Sequence, residues 1–156
     1  MILSAQTIRR LRPVEPFIEA TKMHGMTAGL SHCGYDIRIR DRVSLTSASD
    51  DYGNFSFRIA STLERFVMPN DVMGVVHDKS TWARRGLSVF NTVIEPGWSG
   101  WLTLELVNHS DDYLIIPAGA PIAQVIFHRL DEPTEGYSGK YQDQPDRPVE
   151  AILEVA

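Results

Sequence analysis

Alternation constrains what this chain can fold into more than any other feature. Tyr35-Asp36-Ile37-Arg38-Ile39-Arg40-Asp41-Arg42-Val43 alternates apolar and polar side chains over nine residues, a period of two that suits a half-buried strand and not a helix. Phe55-Ser56-Phe57-Arg58-Ile59 alternates in the same way. Short apolar runs at 72–76, 102–107, 113–116 and 122–127 have strand length and composition. Turn-forming clusters separate them: Met68-Pro69-Asn70-Asp71, Glu95-Pro96-Gly97, His109-Ser110-Asp111-Asp112 and Pro117-Ala118-Gly119-Ala120-Pro121. Many short strands punctuated in this manner predict a mostly β barrel or sandwich. Ser4 ahead of Thr7-Ile8-Arg9-Arg10-Leu11 predicts a short capped N-terminal helix that stops before Pro13. Ser80 to Arg85 predicts a second, capped by Asp78 or Ser80. From Asp131 the chain turns polar and rich in Gly and Pro, which predicts a tail, 131–156, on a single domain spanning 1–156.

At 156 residues the chain is long enough to bury a sizeable core. Its net charge of -5 and scattered basic residues disfavour sequence-independent binding to nucleic acid, so no nucleic-acid partner is expected. A few local cations can still hold a small polyanion. Cys33 is the only cysteine, which rules out an intramolecular disulfide and suits a reducing, cytoplasmic setting. No apolar run reaches bilayer-spanning length, so no membrane partner is expected. His32-Cys33 is the sole adjacent His/Cys pair and has no second cysteine to complete a metal motif; a zinc site is not expected, and Cys33 reads as a small buried residue. Neither a P-loop nor a G-x-S-x-G elbow is present.

The chemistry-bearing residues concentrate further along. Lys79-Ser80-Thr81-Trp82-Ala83-Arg84 combines charged and hydroxyl donors, the set that a phosphate-bearing ligand needs. A helix start there would add free backbone N–H groups. Glu95 sits in a Gly/Pro-rich bend and Glu105 inside an apolar strand pattern. A carboxylate in apolar surroundings is costly unless it is paired or protonated. Glu105 is therefore either half of an Arg–Glu tie between strands or a carboxyl of raised pKa that moves protons to and from water. Ser80 and Arg84 would orient that water or stabilise developing charge. Asp36 is either a structural acid or holds Mg2+ through water. Trp82, Trp98 and Trp101 read as core or interface residues rather than base-stacking platforms. Lys140-Tyr141-Gln142-Asp143-Gln144 is a solvated tail or a lid over phosphates.

Ser31-His32-Cys33-Gly34-Tyr35-Asp36-Ile37-Arg38, Lys79-Ser80-Thr81-Trp82-Ala83-Arg84-Arg85-Gly86, Ile94-Glu95-Pro96-Gly97-Trp98-Ser99-Gly100, Leu104-Glu105 and Gly139-Lys140-Tyr141-Gln142-Asp143-Gln144 follow one another in an order that resembles the dCTP deaminase branch of the dUTPase superfamily. The resemblance runs from about residue 31 to 144. It implies a distorted jelly-roll β-barrel of the dUTPase-like type behind a short N-terminal helix. It also implies a homotrimer with active sites between subunits, and zinc-independent hydrolysis of dCTP to dUTP and ammonia. Carried over residue by residue, Glu105 matches the general acid/base that activates water for attack at C4 of cytosine. Ser80 and Arg84 match the polar pair that positions the water and leaving group, within a phosphate-binding motif formed by Lys79, Ser80, Thr81, Trp82, Ala83 and Arg84. Glu95 matches the acid that contacts the deoxyribose, and Thr103, Leu104 and Glu105 would face the base. Lys140 and Gln144 match tail residues that close on the triphosphate, with Mg2+ bridging the phosphates and Asp36 a candidate to hold it through water. The chain departs from the family pattern in a hairpin lost between Thr46 and Ile59, in a Tyr137 set closer to Lys140, and in the loop Phe90-Asn91-Thr92-Val93. Two rival readings stay open: a dUTPase or bifunctional enzyme releasing dUMP and pyrophosphate, and a non-catalytic nucleotide-binding regulator. Glu105, and Gly139-Lys140-Tyr141 in place of a glycine-rich, arginine-containing C-terminal motif, favour deamination.

Overall fold

In the computed structural model, which describes residues 1–48 and 56–154, the alternating segments become antiparallel strands in two curled sheets and a small ribbon. In chain order the elements are α1 (Ala5–Leu11), β1 (Val14–Glu15), β2 (Thr21–Met23), β3 (Met26–Leu30), β4 (Tyr35–Arg38), β5 (Val43–Leu45) and β6 (Phe57–Val67). They continue with β7 (Val72–Asp78), α2 (Ser80–Ala83), β8 (Leu87–Val89), β9 (Val93–Ile94), β10 (Ser99–Asn108), β11 (Leu114–Ile116) and β12 (Pro121–Arg129). One sheet has the order β1-β6-β10-β8, the other β2-β3-β4-β12-β7-β9, and β11 pairs with β5. Between the sheets Phe66, Leu104 and Leu106 meet Ile37, Val125 and Phe127 in one buried apolar cluster. The fold is the jelly-roll type expected from the strand pattern and the resemblance. No helix among the described residues is long and apolar enough to cross a membrane.

The segment 35–43 is not one half-buried strand. β4 ends at Arg38, Ile39 bridges to Thr62 of the opposite sheet, and β5 begins only at Val43. All of β4 is buried, its polar positions included. It lies inside the six-stranded sheet with both faces covered, so its charges are absorbed by ion pairs rather than by solvent. Lys79 Nζ lies 2.9 Å from Asp36 Oδ2, and Arg38 Nε lies 2.7 Å from Glu64 Oε1.

β6 is far longer than the alternation at 55–59 suggests, and it carries an irregularity that matters for the site. Residues 99–101 of β10 pair with 67–65, then 103–107 pair with 61–57, so Leu102 faces the bulged stretch 62–64. The Leu102 N–H, deprived of a ladder carbonyl, donates instead to Thr62 Oγ1 (3.0 Å), which donates to the Glu64 carbonyl (2.7 Å). The register slips by an even number of residues, so the inward side chains of β10 stay inward. The hairpin expected to be lost between Thr46 and Ile59 falls largely on residues 49–55, outside the described residues, as does Phe55.

Other local expectations need correcting. α2 is a single turn with Lys79 at its N-cap; Asp78 does not cap it but accepts the Val89 N–H (2.7 Å). Ser4 precedes α1 as expected, yet it acts through its backbone carbonyl and not its side chain. Cys33 is exposed, in a turn closed by the Ser31 N–H on the Gly34 carbonyl (2.9 Å). The polar stretch after Asp131 is tied down along β10. The Asp143 N–H donates to the Ser99 carbonyl (2.9 Å), the Trp98 indole N–H to the Tyr141 carbonyl (2.6 Å), and Gly100 bridges in parallel to Gln144. Gly100 is required there: at φ 138 a Cβ would lie 2.6 Å from the Gln144 nitrogen.

Candidate active site

β10 sets the position of the carboxylate that the sequence singles out. Gly100, Leu102, Leu104 and Leu106 turn to the core, which puts Trp101, Thr103, Glu105 and Val107 on the other face. Glu105 is half-buried there and opens on a cavity of about 470 Å³ walled by Phe57, Ile59, Val93 and Tyr141. It forms no ion pair among the described residues; the Arg–Glu tie between strands exists, but it is Arg38–Glu64. Burial pushes the Glu105 carboxyl above its ordinary range, and a hydrogen bond from its own backbone opposes the shift. A carboxyl moved in that direction approaches the range in which one group can both take and return a proton.

Glu95, Thr103 and Gln144 share this cavity with Glu105. Leu104 does not: it is fully buried in the core, because neighbours on a strand face opposite ways, and its side chain is unavailable to a ligand. Lys140 is exposed, with its ammonium 5.4 Å from the centre of the Tyr141 ring. Trp98 is buried against Phe66, and Trp101 carries Arg65 over its ring at 5.8 Å. Neither tryptophan is free as a platform.

The segment from Lys79 to Arg84 lies elsewhere. Trp82 anchors α2 in the core and donates its indole N–H to the Pro121 carbonyl (2.8 Å), so it too is structural. Ser80 and Arg84, four residues apart, share the exposed side of that turn. Thr81 and Ala83 are also exposed. Lys79 is 7% exposed and donates to Thr27 Oγ1 (2.9 Å) beside its ion pair with Asp36. Lys79 and Ser80 border a cavity of about 700 Å³ that also takes in Arg9, Lys22, Ser31 and Gln124. Arg84 borders neither cavity.

Several polar residues of the larger cavity were not singled out from the sequence. Thr27 donates to Asp36 (2.8 Å), and Gln124 donates its amide to Ser31 Oγ (3.1 Å). The signal for Gln124 was present: a lone amide inside the apolar run 122–127. Thr27 had none, since it becomes relevant only when β3 is laid beside β4. As for a metal, the Asp36 carboxylate already meets an ammonium and a hydroxyl. No three His, Cys, Asp or Glu side chains converge to hold an ion among the described residues.

Comparison with known proteins bears on what such a site serves. A family model described as dCTP deaminase-like matches residues 52–130, the stretch that contains α2, Glu95 and Glu105. A dCTP deaminase of Campylobacter lari is 36% identical over 167 residues, covering 90% of this chain and 90% of that protein. Among solved structures, 2'-deoxycytidine 5'-triphosphate deaminase from Agrobacterium tumefaciens superposes with a TM-score of 0.60 at 16% identity, over 82% of this chain and 47% of its own. EIAV dUTPase superposes with a TM-score of 0.54 at 17% identity, over 83% and 97%. The two structures share the fold; identity over nearly the whole length, with a family match spanning the strands that carry Glu105 and α2, establishes that the chain belongs to the dCTP deaminase-like family.

Proposed function

We propose that this protein hydrolyses dCTP to dUTP and ammonia. The observation that carries the reading is Glu105, a half-buried carboxyl without an ion-pair partner among the described residues, raised by burial, on the wall of a cavity. The relatives that share about a third of its residues over most of its length bear the name dCTP deaminase. In this reading Glu105 takes a proton from a water molecule as the water oxygen bonds to C4 of the cytosine. It delivers that proton to N3, then carries the proton of the new C4 hydroxyl to the amino nitrogen; the C4–N bond breaks, ammonia leaves, and a carbonyl at C4 and an N–H at N3 remain.

A complete site needs two subunits. Glu105 and the pair Ser80 and Arg84 belong to different surfaces of one chain, and Arg84 borders neither cavity. Phe57, Phe90 and Val93, at 42%, 51% and 49% exposure, form an apolar patch near the Glu105 cavity that a neighbouring subunit would cover. We assign Ser80 and Arg84 of the neighbour to positioning the water and the leaving amine, and the Lys79 to Arg84 turn to the phosphates, in a homotrimer. Glu95, on the same cavity wall as Glu105, is assigned to the deoxyribose, with Lys140 and Gln144 contributing from the tail. Magnesium would arrive with the triphosphate: Asp36, committed to Lys79 and Thr27, does not suit a metal held by the protein. A single exposed thiol, Cys33, fits a cytoplasmic location.

Incubating the protein and Mg2+ with dCTP and, separately, with dUTP, and separating the products by chromatography, tests the reading. dUTP and ammonia from dCTP, with dUTP left intact, are the expected result. One observation favours a second activity: Glu95 faces the same cavity as Glu105 and, by orienting a further water, would allow release of pyrophosphate. dUMP and pyrophosphate from dUTP would establish it. Tight binding without turnover of either nucleotide would make the protein a sensor instead.

A further inference from the structure

Thr103 stands two positions before Glu105 on the same face of β10, and its hydroxyl is already in use. It donates to Gln144 Oε1 (3.3 Å) and accepts the Val149 N–H (3.0 Å). Two further ties hold the same stretch of chain. Asp146 pairs with Arg40, and the Ile152 N–H donates to the Tyr141 hydroxyl (2.9 Å). Val149, Glu150 and Ala151 thereby close one side of the Glu105 cavity, which retains about 470 Å³. The segment walls the cavity without filling it.

We propose that residues 145–152 form a strap that holds the tail closed beside Glu105 before any nucleotide arrives, with Thr103 as its positioning residue and not as a contact to the base. Thr103 is only 7% exposed, and its hydroxyl, with donor and acceptor both engaged by the tail, has little left to offer a ligand. The Asp146–Arg40 pair ties the strap to the bend between β4 and β5, outside the sheet that carries Glu105. Tyr141 and Gln144, which form the tail side of the cavity, are thus set in place in advance. A nucleotide that finds them ordered is spared the cost of ordering them. The strap acts on binding and leaves the proton transfers to Glu105. Its kinetic consequence rests on the deaminase reading; its effect on the tail does not.

The full chain is compared with a chain ending at Gln144, with the surface variant Asp146→Asn, and with Thr103→Val and Thr103→Ser. Without nucleotide, chymotrypsin cleavage after Tyr137 and Tyr141 reports whether the tail is closed. So does emission from Trp98, whose indole donates to the Tyr141 carbonyl (2.6 Å). The truncated chain and Thr103→Val should be cut several-fold faster with altered emission, Asp146→Asn less so, and Thr103→Ser should behave as wild type. With dCTP and Mg2+, KM should rise roughly threefold to tenfold in the truncated chain while kcat stays within about twofold. Unchanged cleavage and emission in both the truncated chain and Thr103→Val would overturn the strap. A fall in kcat at constant KM in Thr103→Val would also overturn it, by putting that hydroxyl at the reacting atoms. If wild type turns over no dCTP, the deaminase reading fails, and cleavage and emission still decide the strap.

Discussion

Asp36 and Glu105 show how two acids in similar strand patterns meet opposite surroundings. Asp36 is buried beside an ammonium and a hydroxyl, and it is satisfied. Glu105 is less buried but pairs with no cation among the described residues, so its burial goes uncompensated and its charged form is disfavoured. Glu105→Gln should keep nucleotide binding and lose deamination by orders of magnitude, measured as kcat on dCTP. The same change should not cost stability. An acid whose folded pKa is raised is destabilising once ionised: the penalty is absent below its unfolded pKa and complete above its folded pKa, so stability falls as pH climbs between them. Glu105→Gln removes that penalty, so its Tm should equal or exceed wild type at about pH 8, with the difference closing toward about pH 4. Asp36→Asn should do the reverse. It leaves the buried Lys79 without an anion and should cost on the order of 3 kcal/mol in urea unfolding, at any magnesium concentration.

At the scale of elements, the strand that carries Glu105 is held by features on its neighbours. Gly100 lets the tail lie against β10, and a Cβ there would meet the Gln144 nitrogen at 2.6 Å. Gly100→Ala should therefore release the tail from Asp143 onward while the sheets survive. The expected loss is on the order of 1–3 kcal/mol in thermal or urea unfolding, with faster proteolysis confined to the tail. This arrangement also marks what could be read from the sequence. β7, β10, β11 and β12 were legible because a period of two or an apolar run persists between turn signals. β4 was legible as a strand but not as a buried one, since burial of Asp36 and Arg38 depends on Lys79 and Glu64, far along the chain. β6 was cut short because its bulge places Ser61, Thr62 and Glu64 in the interior, and polar residues in sequence read as the end of a strand. The polar tail hid its docking for a related reason: most of the bonds that hold it use backbone groups or indole N–H, which composition does not register.

For the whole molecule, the division of the proposed site between two surfaces makes subunit mixing a decisive measurement. Glu105 and Gln144 border one cavity, Lys79 and Ser80 another, and Arg84 lies outside both. Removing residues from Gly139 onward should then weaken triphosphate binding, read as KM, without changing the number of subunits measured by light scattering. The residue pair itself can be tested by complementation. Arg84→Ala and Glu105→Gln should each be nearly inactive alone. If the site takes Glu105 from one subunit and Arg84 from its neighbour, unfolding the two variants together and refolding them in equal amounts creates sites in which both residues are intact. In a cyclic trimer with random assortment, about a quarter of the sites meet that condition, so activity should return to about a quarter of wild type. A site built within one chain gives no recovery, because every subunit in the mixture lacks one of the two groups. Recovery near a quarter would support the shared site whatever the number of subunits in the ring; light scattering decides the trimer. Its absence, with mixed assemblies confirmed by mass, would place Arg84 outside the chemistry and leave Glu105 to act with partners of its own chain.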